Sequence, residues 1–263
     1  MLKKLLKYDL KGIFKFLIIF YALSIFFGIL TRIFLNFSGS FMLNLLGQIF
    51  SGVAISMMFN IIINNLMRIW VRFNQNLYGD ESYLTHTLPV EKKTLYLSKF
   101  LTCVITLFVS FLVISLTLFI AYYSKNNVLL LKNILLPIVD TNNLEFIIFI
   151  VAIIFILFIE MLTLLQAGLT GIIIGHQKNN HKIPFSVLFG FICYSIIQII
   201  IVITVLIMAL FNPDLMILFT TNQIHNIGVL KDIVYVAIFI YTVCVSINYF
   251  VNIKLLNKGV NVD

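Results

Sequence analysis

Six stretches of this chain stay apolar for at least the roughly 20 residues that a helix needs to cross the hydrocarbon core of a bilayer. They cover residues 16–35, 45–67, 100–123, 146–175, 184–211 and 233–253. The first holds only Arg32, close to its far end, where a long side chain can reach the interface. The third holds no charged residue, and the fourth holds Glu160 near its middle. The fourth and fifth exceed a perpendicular span, which predicts tilt or an extension beyond the bilayer.

The polar segments between these stretches have their own periodicity. Over residues 1–15, Lys3, Lys4, Lys7, Lys11 and Lys15 project to one side of a helix, with Leu2, Leu5, Leu6 and Ile13 roughly opposite. Basic residues over a leucine face predict an interfacial helix ahead of the first span. No small-x-small cleavage site follows, so this region reads as a retained helix and not a signal peptide. Asp9 breaks the pattern by falling in the apolar sector. It either points into a watery crevice or pairs with Arg68 or Arg72.

Residues 68–99 form the longest polar stretch. Gly79 can end a preceding helix, Asp80 is a competent N-cap, and Glu81 suits the first turn. Pro89 turns Leu88 away from helical geometry. A helix of about two turns over residues 81–87 is predicted, with Tyr83, Leu84, Thr87 and Leu88 on one face. Such a capped, half-apolar helix suits docking into another protein's groove. On the opposite side, residues 36–44 make a short turn, while 124–145 and 212–231 are longer. Within the latter, the apolar residues 215–219 predict a re-entrant or interfacial helix. Ala167, Gly171 and Gly175, with Gly168 beside them, and the pairs Gly47/Ser51 and Gly52/Ser56 recur at helical spacing. Small residues so placed let helices approach, either within one subunit or between two.

Composition sharpens the picture. Only 11% of the 263 residues are charged and 61% are hydrophobic, against about 25% charged in soluble domains. A soluble enzyme, a disordered chain and a secreted disulfide scaffold are excluded. The net charge of +8 follows the positive-inside rule. Of 18 Lys and Arg, 14 fall on the side of the termini and four on the other, which predicts cytoplasmic termini and leaves nucleic acid no place. Cys103, Cys193 and Cys244 lie in separate apolar runs and read as buried thiols, not as a zinc or redox pair.

Candidate chemistry is sparse. The sequence contains no P-loop, HExxH or GxSxG pattern. His176 and His181, five residues apart, read as solvated loop histidines, and His86 as a contact residue. Glu160 stands out, because an ionisable group deep in a span is costly and marks a functional site by default. It can contact a cationic substrate or line a wet cavity with Asn60 and Asn64. Alternatively it is neutral and hydrogen-bonded to Asn60, Asn64 or Gln166.

Three pieces together resemble a known family: LLKYDLK at residues 5–11, NLYGDESYLTHTLPV at 76–90 leading to LSK, and IGHQKNNHK at 174–182. With the six-span layout they are similar to the type-2 ABC exporter permeases of low-GC Gram-positive bacteria, over essentially the whole chain. The middle piece is the most specific. The resemblance implies an all-α integral membrane fold of six transmembrane helices, forming a single transmembrane domain. Residues 1–15 would be an amphipathic elbow helix and residues 68–99 a coupling segment. Asp80, Glu81, Tyr83, Leu84, His86, Thr87, Leu88 and Pro89 would receive a separate cytoplasmic ABC ATPase.

In such exporters two ATPase subunits bind ATP and Mg, and a second permease, identical or related, completes the complex in the bacterial plasma membrane. This chain would bind no cofactor and catalyse nothing itself. A hydrophobic or amphipathic substrate, foremost an antimicrobial or amphipathic peptide, is expected. The alternative is an ATP-independent carrier or channel, although no convincing repeat relates residues 1–130 to 131–263. An intramembrane enzyme would need a nucleophile–base pair or clustered His and carboxylates at one depth, which the sequence does not supply.

Overall fold

A computed structural model describes residues 1–37, 41–135, 143–178, 180–220 and 228–258. Among them are nine α-helices and no strand: α1 (Leu2–Asn36), α2 (Phe41–Leu77), α3 (Ser82–Thr87), α4 (Lys92–Tyr122), α5 (Lys125–Leu135), α6 (Asn143–Gly175), α7 (Lys182–Phe211), α8 (Pro213–Thr220) and α9 (Val229–Asn257). Six of these, α1, α2, α4, α6, α7 and α9, are long and apolar enough to cross a membrane. They contain the six apolar stretches but for Tyr123, the C-cap of α4, and the chain is a multi-pass membrane protein. The predicted features at residues 38–40, 136–142 and 221–227 lie outside the described residues. Helix α8 coincides with the predicted helix around 215–219, whereas α5 was not foreseen by any pattern.

One expectation is corrected. Residues 1–15 do not form a separate helix, because α1 runs unbroken for 35 residues, about 50 Å at 1.5 Å per residue. The only helix-weakening residue near the expected junction is Gly12. Its missing side chain makes room for the Arg72 guanidinium, onto which a Cβ would fall. Close approach of a neighbouring helix, and not a bend, explains that glycine.

The described chain divides into two compact units, one within residues 1–127 and the other within 128–258. In the first, α1 packs against both α2 and α4. With no water to compete in the bilayer core, side-chain hydrogen bonds between helices help fix their register. Tyr21 Oη and Asn65 Nδ2 both bond to Ser110 Oγ at 2.8 Å. Further along, Ser24 donates to Thr117 at 3.2 Å, and Ser51 bonds to the Tyr122 hydroxyl. Gly47 lies against Leu35, so the Gly47/Ser51 pair serves internal packing. Gly52, by contrast, has open space where its Cβ would be, and Ser56 is exposed.

In the second unit α6 packs against α7 and α9. The Ala167–Gly171–Gly175 stripe is the α6–α7 seam: a Cβ on Gly171 would enter the backbone of Ser186 and Gly190, and one on Gly175 would strike Ser186. Helix α8 turns back on α7, and Leu215 is buried with Ala209 and Val229. Replacing Gly171 with Leu is therefore expected to cost about 3 kcal/mol or more, since backbone cannot yield as a side chain can. Gly52→Leu should change stability by less than about 0.5 kcal/mol. Thermal unfolding of the two variants in detergent checks the contrast, and equal effects would refute the seam.

Candidate functional site

Asp9 is only 3% exposed although it lies on the basic N-terminal stretch of α1. Lys99 Nζ of α4 donates to both its oxygens at 2.8 Å. Arg72 Nε and Asn76 Nδ2 of α2 each donate to Oδ1 at 3.2 Å. Arg72 lies over the Tyr8 ring, 5.3 Å from its centroid, and Nη2 donates to the Tyr8 carbonyl at 3.4 Å. Asp9 is thus paired and does not point into a watery crevice. Its partner is Arg72 and not Arg68, which lies over the Phe16 ring at 5.2 Å. Glu81 is within electrostatic reach of Lys99, so two carboxylates face two cations in this region.

Lys99 and Asn76 are the members that the sequence reading missed. Asn76 falls four residues after Arg72 and so shares its helix face. Lys99 lies between Tyr96 and Cys103, both fully buried, which puts it on the buried face of α4. Such a network costs desolvation to assemble, and removing one partner alone costs about 3–5 kcal/mol.

From Asn76 the chain enters the predicted docking segment. Helix α2 ends at Leu77, and its terminal carbonyls are met by the linker itself. Asn74 O accepts from the Tyr78 and Gly79 amides at 2.9 and 3.0 Å, and Gln75 O accepts from the Glu81 amide at 3.3 Å. His86 Nε2 donates to the Leu77 carbonyl at 3.0 Å. Leu77 and Tyr78 are buried, and burial pushes the Tyr78 phenol well above its ordinary range. Helix α3 is consequently fixed to the end of α2. His86 is surface-exposed, yet it also ties α3 down instead of serving as a contact residue alone.

The N-cap of α3 is Glu81, not Asp80, and no acidic residue occupies its first turn. The shift of one residue follows from the backbone bonds of residues 78–82, which set where the helix can begin. Asp80 is exposed, and Glu81 makes no side-chain cap. Leu88 is extended (φ −66°, ψ 134°) ahead of Pro89, as the proline requires. Tyr83 and Leu84 are 80% and 73% exposed, and Thr87, Leu88 and Pro89 are exposed beside them. A two-turn helix therefore offers an apolar face to the surroundings, while the stems on either side of it, at Asn76 and Lys99, converge on one carboxylate.

In the second unit Glu160 is half-buried and accepts from the Tyr194 hydroxyl of α7 at 3.4 Å. Its expected partners are differently engaged. Asn60 and Asn64, in the first unit, donate to the carbonyls of Ser56 and Asn60 one turn back, at 2.9 and 2.8 Å. Gln166 is fully buried and neither amide atom is bonded within the described residues. Beside Tyr194 lies Gln198, whose Oε1 accepts from the Tyr241 hydroxyl of α9 at 3.2 Å.

His176 is a further correction: it is buried, and Nδ1 donates to the Ile172 carbonyl at 2.9 Å, because α6 continues to Gly175. His181 is exposed, with a left-handed φ of 54° that turns the chain into α7. Among the described residues no group of three His, Cys, Asp or Glu could hold a metal ion. The three cysteines are free, with Cys103 and Cys244 buried and Cys193 partly so.

No protein-family model matches the chain, and no curated protein or solved structure shows significant similarity to it.

The Asp9 network predicts a rescue. Asp9→Asn should lower stability by about 3–5 kcal/mol, because Lys99 then loses its counter-charge while still buried. The double variant Asp9→Asn/Lys99→Met removes the stranded charge and should recover most of that loss. Thermal unfolding in detergent, with both variants beside the parent, measures it.

Proposed function

We propose that this chain is the transmembrane subunit of an ATP-driven exporter, a type-2 ABC permease, and that residues 80–89 receive a separate cytoplasmic ABC ATPase. The observation that carries this reading is the exposed apolar face of α3, with Tyr83 and Leu84 outward on a helix bonded to the end of α2 and Leu88 exposed just after it. A loop that only joined two spans would gain nothing from holding such a face rigidly in water. An exposed aromatic beside an exposed leucine is the composition of a docking anchor.

On this reading the exporter contains two ATPase subunits, which bind ATP and Mg, and two permeases, this chain pairing with itself or a relative. The bias of 14 Lys and Arg against four supports a cytoplasmic side for α3 and both termini, and the membrane on this reading is the bacterial plasma membrane. The substrate is hydrophobic or amphipathic, with an amphipathic peptide as the leading candidate.

The mechanism follows from two-state logic. ATP can shift the permease only by favouring one conformation differentially, through the ATPase surface that grips α3. A displacement of α3 pulls on the α2 stem at Asn76 and the α4 stem at Lys99. Both are bonded to Asp9, so the movement reaches α1 as well.

Purification from native membranes in mild detergent, followed by mass spectrometry, tests the proposal. A stoichiometric ATPase subunit is expected with the parent chain. Tyr83→Asp/Leu84→Asp should cut its recovery at least tenfold, consistent with about 2 kcal/mol for each lost anchor, and leave the permease folded. Recovery of this chain alone, under conditions that preserve other membrane complexes, would reject the assignment.

A further inference from the structure

The apolar span within α6, Glu145–Gly175, extends 15 residues on either side of Glu160. At 1.5 Å per residue the carboxylate lies about 22 Å from each end, near the middle of the bilayer. None of the three helices around it brings a cation to that depth: α6 carries no Lys or Arg, α7 has only Lys182 at its first residue, and α9 has Lys231 and Lys254 in its terminal turns. Lys231 faces Glu145, at 3.8 Å.

What surrounds Glu160 is polar and aromatic. The Tyr194 hydroxyl bonds to it, and Tyr241 of α9 lies within its electrostatic reach. Gln198 lies beside Tyr194 and accepts from the Tyr241 hydroxyl. Three helices thus build one cluster with one carboxylate, two phenol rings and no balancing charge. Glu160 is only half-buried, so the cluster is reachable.

The donor set selects the ligand. A bare metal ion needs several oxygen ligands, and no group of three acidic or metal-binding residues occurs among the described residues. A carboxylate with neighbouring aromatic rings suits an organic cation, which gains from charge pairing and from ring faces together. Gln198 Nε2, a buried donor with no partner among the described residues, is left to meet an acceptor on the same ligand.

We infer that Glu160, Tyr194, Gln198 and Tyr241 form a membrane-embedded binding site for an organic cation on an apolar body. This refines the substrate of the proposed exporter, but the binding itself belongs to this chain and needs no ATPase.

The test uses the full chain, purified alone in phosphatidylcholine nanodiscs, with empty nanodiscs subtracted. Binding of radiolabelled tetraphenylphosphonium is compared with that of tetraphenylborate, an anion of the same shape, measured separately. The parent should bind the cation at least tenfold more tightly than the anion. Glu160→Gln should weaken cation binding at least tenfold, while Glu160→Asp, which keeps the charge, retains most of it. Tyr194→Phe, which keeps the ring, should lose less than Glu160→Gln. Equal binding by Glu160→Gln and the parent overturns the site and assigns Glu160 a neutral, hydrogen-bonded role. Absence of cation binding by the folded parent overturns it too. Because no ATPase is present, either failure leaves the ATPase-docking proposal to its own experiment.

Discussion

A carboxylate shut away from water must be met by donors, and Asp9 is met by three side chains from two other helices. That requirement organises one end of the first unit. It places α4 so that Lys99 reaches both oxygens, and it turns the last turns of α2 so that Arg72 and Asn76 face α1. It also explains Gly12, across which the Arg72 guanidinium passes. Moving into the bundle, charge gives way to hydroxyls. Ser110 lies 11 residues beyond Lys99, about 16 Å along α4, and takes hydrogen bonds from α1 and α2. The register fixed by the ionic network at the rim is thus repeated by neutral partners in the apolar region, where further charges would be costly.

The same arrangement gives the short helix α3 its setting. Its two flanking stems meet at Asp9, and its backbone and His86 are bonded to the end of α2. A surface that has to transmit force must resist bending where it is gripped. On the proposed reading, the bonded network at Asn76 and Lys99 and the apolar exposure at Tyr83 and Leu84 separate a holding network from a gripping face. Substitutions on the exposed face then act on partner affinity, while substitutions in the network act on stability and transmission.

The spans were legible in the sequence because the bilayer sets a minimum length that no other constraint disguises. The continuity of α1 was not, since an interfacial helix and the first turns of a long one share the same period and no breaker separates them. Asp9 was conspicuous as an acid in an apolar sector, but its partner depends on how three helices pack. Lys99 read as a basic residue at a membrane boundary, and Asn76 as part of a polar loop. The one-residue error at the α3 cap has a similar origin: Asp80 is the better local cap, yet backbone bonds to Asn74 and Gln75 decide where the turn closes. Gly47 and Gly52 illustrate the limit for small residues. Five positions apart on a helix apolar on every face, one packs against Leu35 and the other meets open space, and periodicity cannot distinguish them.

The two informative carboxylates, Asp9 and Glu160, differ in what surrounds them more than in what they are. Asp9 has Lys99 and Arg72 within hydrogen-bonding distance and Asn76 in addition, so its acceptor capacity is largely used. A charge so completely met by its own chain has little to offer a ligand, and its role is to hold helices. Glu160 has one hydroxyl donor at 3.4 Å and no cation on its three helices away from their ends. Even the mildest scales set the cost of a charge at mid-bilayer at about 3 kcal/mol, and one such hydrogen bond offsets only part of it. The residual deficit is what a cationic ligand would relieve. On the proposed reading, compensation more than burial separates a structural acid from a ligand-binding one: Asp9 is the more buried of the two, and Glu160 is the one with no cation among its described neighbours.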